Sequence, residues 1–86
     1  MPVPGDVYLD NDPRNIQRHV KLVCLAGKAT RARRVKGRVK QVHVPIWSAV
    51  VVPSKCHAAR RTKIAEDQLG CSGARGFSFV RHEDPD

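Results

Sequence analysis

Between Pro13 and Ala65 the chain has no acidic residue. Its carboxylates are confined to the two ends, as Asp6, Asp10 and Asp12 and then Glu66, Asp67, Glu83, Asp84 and Asp86. A surface that serves only solubility intersperses the two signs, so this gap excludes an evenly solvated middle. Aromatic residues are nearly as scarce: one Trp, one Tyr and two Phe. That is too few for the stacking platforms on which single-stranded nucleic acid is usually held. No apolar run approaches the roughly 20 residues of a membrane span. Residues 1–9 lack the basic start and long apolar stretch of a secretory signal. No segment of ten or more residues keeps a helical apolar period. Cysteine is odd in number, at Cys24, Cys56 and Cys71, which argues against a closed disulfide framework. Taken together, these absences predict a soluble protein of a reducing cytoplasm, with no membrane contact and with free thiols.

What remains is cationic. The acid-free span holds Arg14, Arg18, Lys21, Lys28, Arg31, Arg33, Arg34, Lys36, Arg38, Lys40, Lys55, Arg60, Arg61 and Lys63. The net charge of the 86-residue chain is +8. A field of one sign steers a polyanionic partner towards the protein and repels a basic one. Val is the commonest residue. Its branched Cβ favours the half-buried face of a sheet, so the composition leans towards strands.

A chain of this length makes one domain at most. Residues 1–5 read as an irregular lead-in and 6–9 as a first strand. The turn at 10–14 is rich in Asx and Pro, and its Asp residues suit ion pairs with Arg14 or Arg18. Residues 19–26 alternate with a period of two, with Val20, Leu22 and Cys24 in phase. Gly27-Lys28 reads as a tight connection and 28–35 as the return strand of a hairpin. Lys36-Gly37-Arg38 is a basic turn. Residues 39–46 and 48–52 then read as two short strands, so that 38–53 forms an inserted hairpin with Trp47 near its tip. Pro45 places the first of these at an edge, because it has no N–H for a ladder. A basic strand at 60–64, at most one helical turn at 65–69, a glycine-rich loop at 70–76 and a strand at 77–80 complete the pattern. Residues 81–86 form a charged, frayed tail. The predicted fold is mainly β: a small barrel or strongly bent sheet of five to seven short strands. Its core is drawn from Val7, Val20, Leu22, Ile64, Leu69, Phe77 and Phe79.

Three stretches carry a family resemblance: Gly5-Asp6-Val7-Tyr8 with Asp10-Asn11-Asp12-Pro13-Arg14, then Arg61-Thr62-Lys63-Ile64 with Leu69, then Gly76-Phe77 with Phe79-Val80. Together they resemble short basic proteins of actinobacterial phages and their hosts, mostly of unassigned function. The resemblance implies a single SH3-like barrel and a phage setting in a bacterial host cytoplasm. It implies no catalytic residue. The segment 38–53 departs from the family pattern.

Catalytic and metal chemistry find no adequate set of residues. A zinc site needs four ligands at short paired spacings. Here Cys56 and His57 are adjacent, Cys71 is distant, and Cys24, His19 and His43 are scattered. Adjacent residues on a strand point to opposite faces, so Cys56 and His57 do not make a nucleophile–base pair. Gly70–Gly76 follows neither the Walker nor the Rossmann pattern. The chain is therefore expected to be no enzyme and to need no cofactor or metal.

Two binding modes remain. The favoured one is nucleic acid, DNA before RNA, held through Arg31, Arg33, Arg34, Lys36, Arg38, Lys40, Arg60, Arg61 and Lys63. Arg forks match phosphate geometry, and phosphate contacts position a protein without reading sequence. The rival is a host protein, or a second copy of the chain as a homodimer. It would be held through an apolar patch of Ile46, Trp47, Val50, Val51 and Val52.

Overall fold

Alternating aliphatic and polar residues build five strands in the computed structural model, which describes residues 2–84. They are β1 (Asp6–Asp10), β2 (His19–Val35), β3 (Arg38–Val51), β4 (Arg61–Ala65) and β5 (Phe77–His82). One turn of 3-10 helix, Glu66–Gln68, follows β4. The strands form one antiparallel sheet in the order β4-β3-β2-β1-β5. Its ends approach each other where Leu69 makes a parallel bridge to Phe77. The Gly70 N–H also donates to the Phe77 carbonyl at 2.7 Å. β4 and β5 share no ladder, so the sheet bends without closing.

The predicted mainly β class holds, but two connections differ. Gly27-Lys28 is no turn: β2 runs through it, with irregularities between Leu22 and Cys24 and between Leu25 and Gly27. Each inserts a residue that local side-chain alternation cannot anticipate, and such bulges add bend and twist. Residues 38–53 are not an inserted hairpin either. Residues 38–51 are the single strand β3, which pairs along its length with β2. Pro45 does not break it. The Val35↔Arg38 pair flanks a two-residue turn and exchanges hydrogen bonds, so counting back along the ladder makes Lys28↔Pro45 a non-hydrogen-bonded pair. The nitrogen of Pro45 therefore faces the open edge, where no bond is lost.

The core gathers Tyr8, Val20, Leu22, Trp47, Ala49, Val51, Ile64 and Phe77, with Leu69 packed against it. Val7 is also fully buried. Trp47, placed by sequence near a hairpin tip, is 3% exposed. Its indole N–H donates to Glu66 Oε1 at 3.1 Å, which satisfies a group that would otherwise be costly to bury. Phe79, expected in the core, is 56% exposed. It shares the face of Phe77 but does not join the core cluster that holds Phe77. Its ring instead stands edge-on to Tyr8, with centroids 5.6 Å apart. Cys24, in phase with Leu22 by simple alternation, is exposed because the irregularity at Val23 turns it outward.

Both ends of the described chain are tied down. The turn after β1 is organised by the buried Asp10, which accepts the Asp12 N–H at 2.9 Å and the Arg18 Nε–H at 2.9 Å. The Arg14 side chain holds the Asp12 carboxyl down at about 2. Gly5 donates its N–H to Leu22 at 2.9 Å and accepts from Glu83 at 2.8 Å. Asp6 Oδ1 lies 2.8 Å from His82 Nδ1. The expected frayed tail is thus partly strand, since β5 reaches His82; residues 85 and 86 lie outside the described residues.

Gly5 adopts φ +96°, and a Cβ there would lie 2.0 Å from the Glu83 carbonyl oxygen. Gly5→Ala is expected to cost about 2–3 kcal/mol, through backbone strain and the clash together. That corresponds to a melting temperature lower by about 10 °C or more for a domain of this size. A thermal melt unchanged to within about 2 °C would contradict the close approach.

Candidate nucleic-acid interface

The basic segment builds an arm. β1 pairs with β2 only at Lys21, Val20 and His19, and β4 pairs with β3 only from Ile46 to Val50. Beyond those contacts β2 and β3 continue as a two-stranded ribbon, paired from Lys28↔Pro45 to Val35↔Arg38. It lengthens a small molecule to 46 Å, against 28 and 19 Å in the other directions. The ribbon turns through Lys36-Gly37, with φ +51° and +76°. Two positive φ values in a two-residue connection make a type I′ turn, whose twist matches the flanking strands. Gly at the second position meets that demand without strain.

Cross-strand partners in an antiparallel ribbon share a face. One face therefore carries the pairs Ala29↔Val44, Arg31↔Val42, Arg33↔Lys40 and Val35↔Arg38. The other carries Lys28↔Pro45, Thr30↔His43, Ala32↔Gln41 and Arg34↔Val39. All the cations on the arm are exposed: Lys28, Arg31, Arg33, Arg34, Lys36, Arg38 and Lys40. Arg31 is tethered to the body by Asp67, at 3.1 Å. The remaining six make no ion pair among the described residues. Like charges this close repel, and nothing intramolecular offsets that repulsion. The arm is thus electrostatically complementary to a polyanion.

Of the nine cations singled out from sequence, the structure brings together Arg31, Arg33, Arg34, Lys36, Arg38 and Lys40. Arg60, Arg61 and Lys63 do not join them. β4 lies beside the body half of β3, where Arg61 pairs with Val50 and Lys63 with Ser48. Ten residues of β3 separate Val50 from Lys40, about 33 Å along an extended strand. Arg61 belongs instead to a second, smaller patch, because Val50 also pairs with Lys21 on its other side. Lys28 was the arm cation that sequence reading left out of the interface. Its signal was the alternation it shares with Thr30, Ala32 and Arg34, hidden by the turn wrongly placed at Gly27-Lys28.

The apolar patch proposed for a protein partner does not reach the surface as a unit. Trp47 and Val51 are buried, at 3% and 1% exposure. Ile46, Val50 and Val52 are half-buried along the same strand region. The three thiols are unbridged and exposed, and His57 Nε2–H donates to the Ile16 carbonyl at 2.9 Å. Among the described residues, no three His, Cys, Asp or Glu side chains converge as a metal site would require. No described helix is long and apolar enough to cross a membrane. Comparisons with family models, curated proteins and solved structures match nothing to this chain.

Proposed function

We propose that this protein binds nucleic acid without catalysis, gripping the phosphate backbone through the β2–β3 arm. DNA is the expected form, contacted largely without sequence preference. The observation that carries the proposal is the charge of the arm. Seven exposed cations stand on a projecting ribbon, with no acidic residue in that part of the chain. Held along a duplex, such a ribbon exchanges condensed counterions for fixed Arg and Lys contacts. That gain supplies most non-specific affinity for nucleic acid. Contacts of this kind set position but carry no base information. The setting suggested by the resemblance to small phage proteins, a bacterial host cytoplasm rich in nucleic acid, agrees with such a role. The rival protein-docking mode draws less support, because Trp47 and Val51 of its patch are buried. The test is fluorescence anisotropy of the purified chain on labelled random-sequence duplex DNA, single-stranded DNA and RNA at roughly 50 mM salt, where phosphate contacts are strong. Binding to duplex DNA, similar across unrelated sequences, is the expected result. Failure to bind any of the three would overturn the proposal.

A further inference from the structure

Resting on the function proposed above, we infer that the β2–β3 arm seats as a lone ribbon in the major groove of duplex DNA, rather than lying across the outside of the backbone. Four features of the arm point there. The first is width. No third strand accompanies the arm, because β1 and β4 pair only with the body halves of β2 and β3. Two strands stand about 4.8 Å apart, and the major groove of B-form DNA, about 12 Å wide, admits such a ribbon. The minor groove, about 6 Å wide, does not accommodate it with its side chains.

The second feature is reach. Eight consecutive pairs run from Lys28↔Pro45 to Val35↔Arg38, which is about 25 Å of strand. The groove is only about 8.5 Å deep, so the tip can reach its floor while the body stays outside. The third is the placement of charge. Arg31, Arg33, Arg38 and Lys40 lie on one face and Lys28 and Arg34 on the other. A ribbon on the outside of a duplex would use one face only. Cations on both faces suit a groove with a phosphate wall on each side.

The fourth is the tip. Val35 and Val39 flank the turn and are 49% and 66% exposed. They pack in no core, yet they stand where the ribbon would meet the groove floor. Apolar side chains there make favourable contact with thymine methyl groups. The small side chain of Ala32 keeps the middle of the ribbon slim. Double-stranded RNA offers no equivalent seat, because its A-form major groove is deep and too narrow for side chains to read.

The experiment compares equilibrium binding of the full chain to four probes of equal length. These are an unmodified duplex DNA, the same duplex with glucosylated 5-hydroxymethylcytosine at every cytosine, the unmodified duplex saturated with netropsin, and an RNA duplex. The sugar fills the major groove, whereas netropsin fills the minor groove. Affinity is expected to fall at least about tenfold on the glucosylated duplex, the scale of a lost groove contact. It is expected to fall similarly on RNA and to stay within about twofold with netropsin present. Equal affinity for glucosylated and unmodified DNA would overturn the groove assignment and leave backbone binding standing. Displacement by netropsin would overturn it in favour of the minor groove. Absence of binding to every probe would overturn the nucleic-acid function together with this inference.

Discussion

Trp47→Ala is expected to leave little or no folded protein at 37 °C. The side chain belongs to the core cluster, and its cross-strand partners are Ile64 on β4 and Leu25 on β2. Removing a buried indole costs about 3–5 kcal/mol, as lost burial and an unfilled cavity. The total stability of a chain of 86 residues is of the order of 4–13 kcal/mol. A thin core also has few side chains with which to refill the space. The substitution further strips Glu66 Oε1 of the indole N–H it accepts. Because Trp47 is the sole tryptophan, the variant is followed by far-ultraviolet circular dichroism in a urea titration, not by fluorescence. The conservative control is Glu66→Gln, which keeps an oxygen acceptor for the indole and should cost less than about 1 kcal/mol. A Trp47→Ala protein that unfolds at the wild-type urea midpoint would show that the tryptophan is not part of the core.

Reversing three arm charges should give the largest effect on binding. Arg33, Arg38 and Lys40 lie on one face near the tip, and none has a carboxylate partner among the described residues. Their loss as phosphate contacts, at about 1 kcal/mol or more each, predicts a fall of at least about a hundredfold in affinity for duplex DNA. Replacement by Glu adds repulsion to that loss. The fall should be alike on unrelated sequences, since phosphate contacts do not discriminate among them. Stability should change by only about 0.5 kcal/mol, or rise slightly as crowded like charges are relieved. The matched control is Arg60→Glu with Arg61→Glu and Lys63→Glu, three reversals away from the arm, where a much smaller fall is expected. Equal losses for the two variants would mean that net charge, not the arm, governs binding.

Much of this architecture was legible in the sequence because its causes are local. Alternation at Val20 and Leu22 marked a half-buried strand, and Lys36-Gly37 marked the turn that positive φ values require. Asp10 and Asp12 marked the ion-paired bend with Arg14 and Arg18. The arm lies within the acid-free middle of the chain, a feature plain in the sequence. The errors came from non-local causes. The irregularities at Val23 and Ala26 reset the side-chain phase within β2, so a reader counting by twos ends the strand at Gly27. Pro45 looks like a break until the register shows that its nitrogen faces an open edge. Trp47 looks like the tip of a short apolar hairpin until the β2 and β4 ladders enclose it and Glu66, nineteen residues on, supplies its hydrogen bond. Phe79 shares a face with Phe77, but only Phe77 is bridged by Leu69 and joins the core cluster, a contact that local pattern does not reveal. Arg60, Arg61 and Lys63 resemble arm residues in composition, but the register of β4 on β3 decides which half of β3 they lie beside.

The salt dependence of duplex DNA binding tests the central claim most directly. Each phosphate neutralised on B-form DNA contributes about −0.9 to the slope of log K against log salt concentration. With Arg33, Arg34, Lys36, Arg38 and Lys40 engaged, a slope of about −4.5 is expected. The variant with Arg33, Arg38 and Lys40 replaced by Glu should retain about −1.8, from Arg34 and Lys36. A wild-type slope near zero, or one that the three substitutions leave unchanged, would contradict the assignment of this arm as the phosphate-gripping surface.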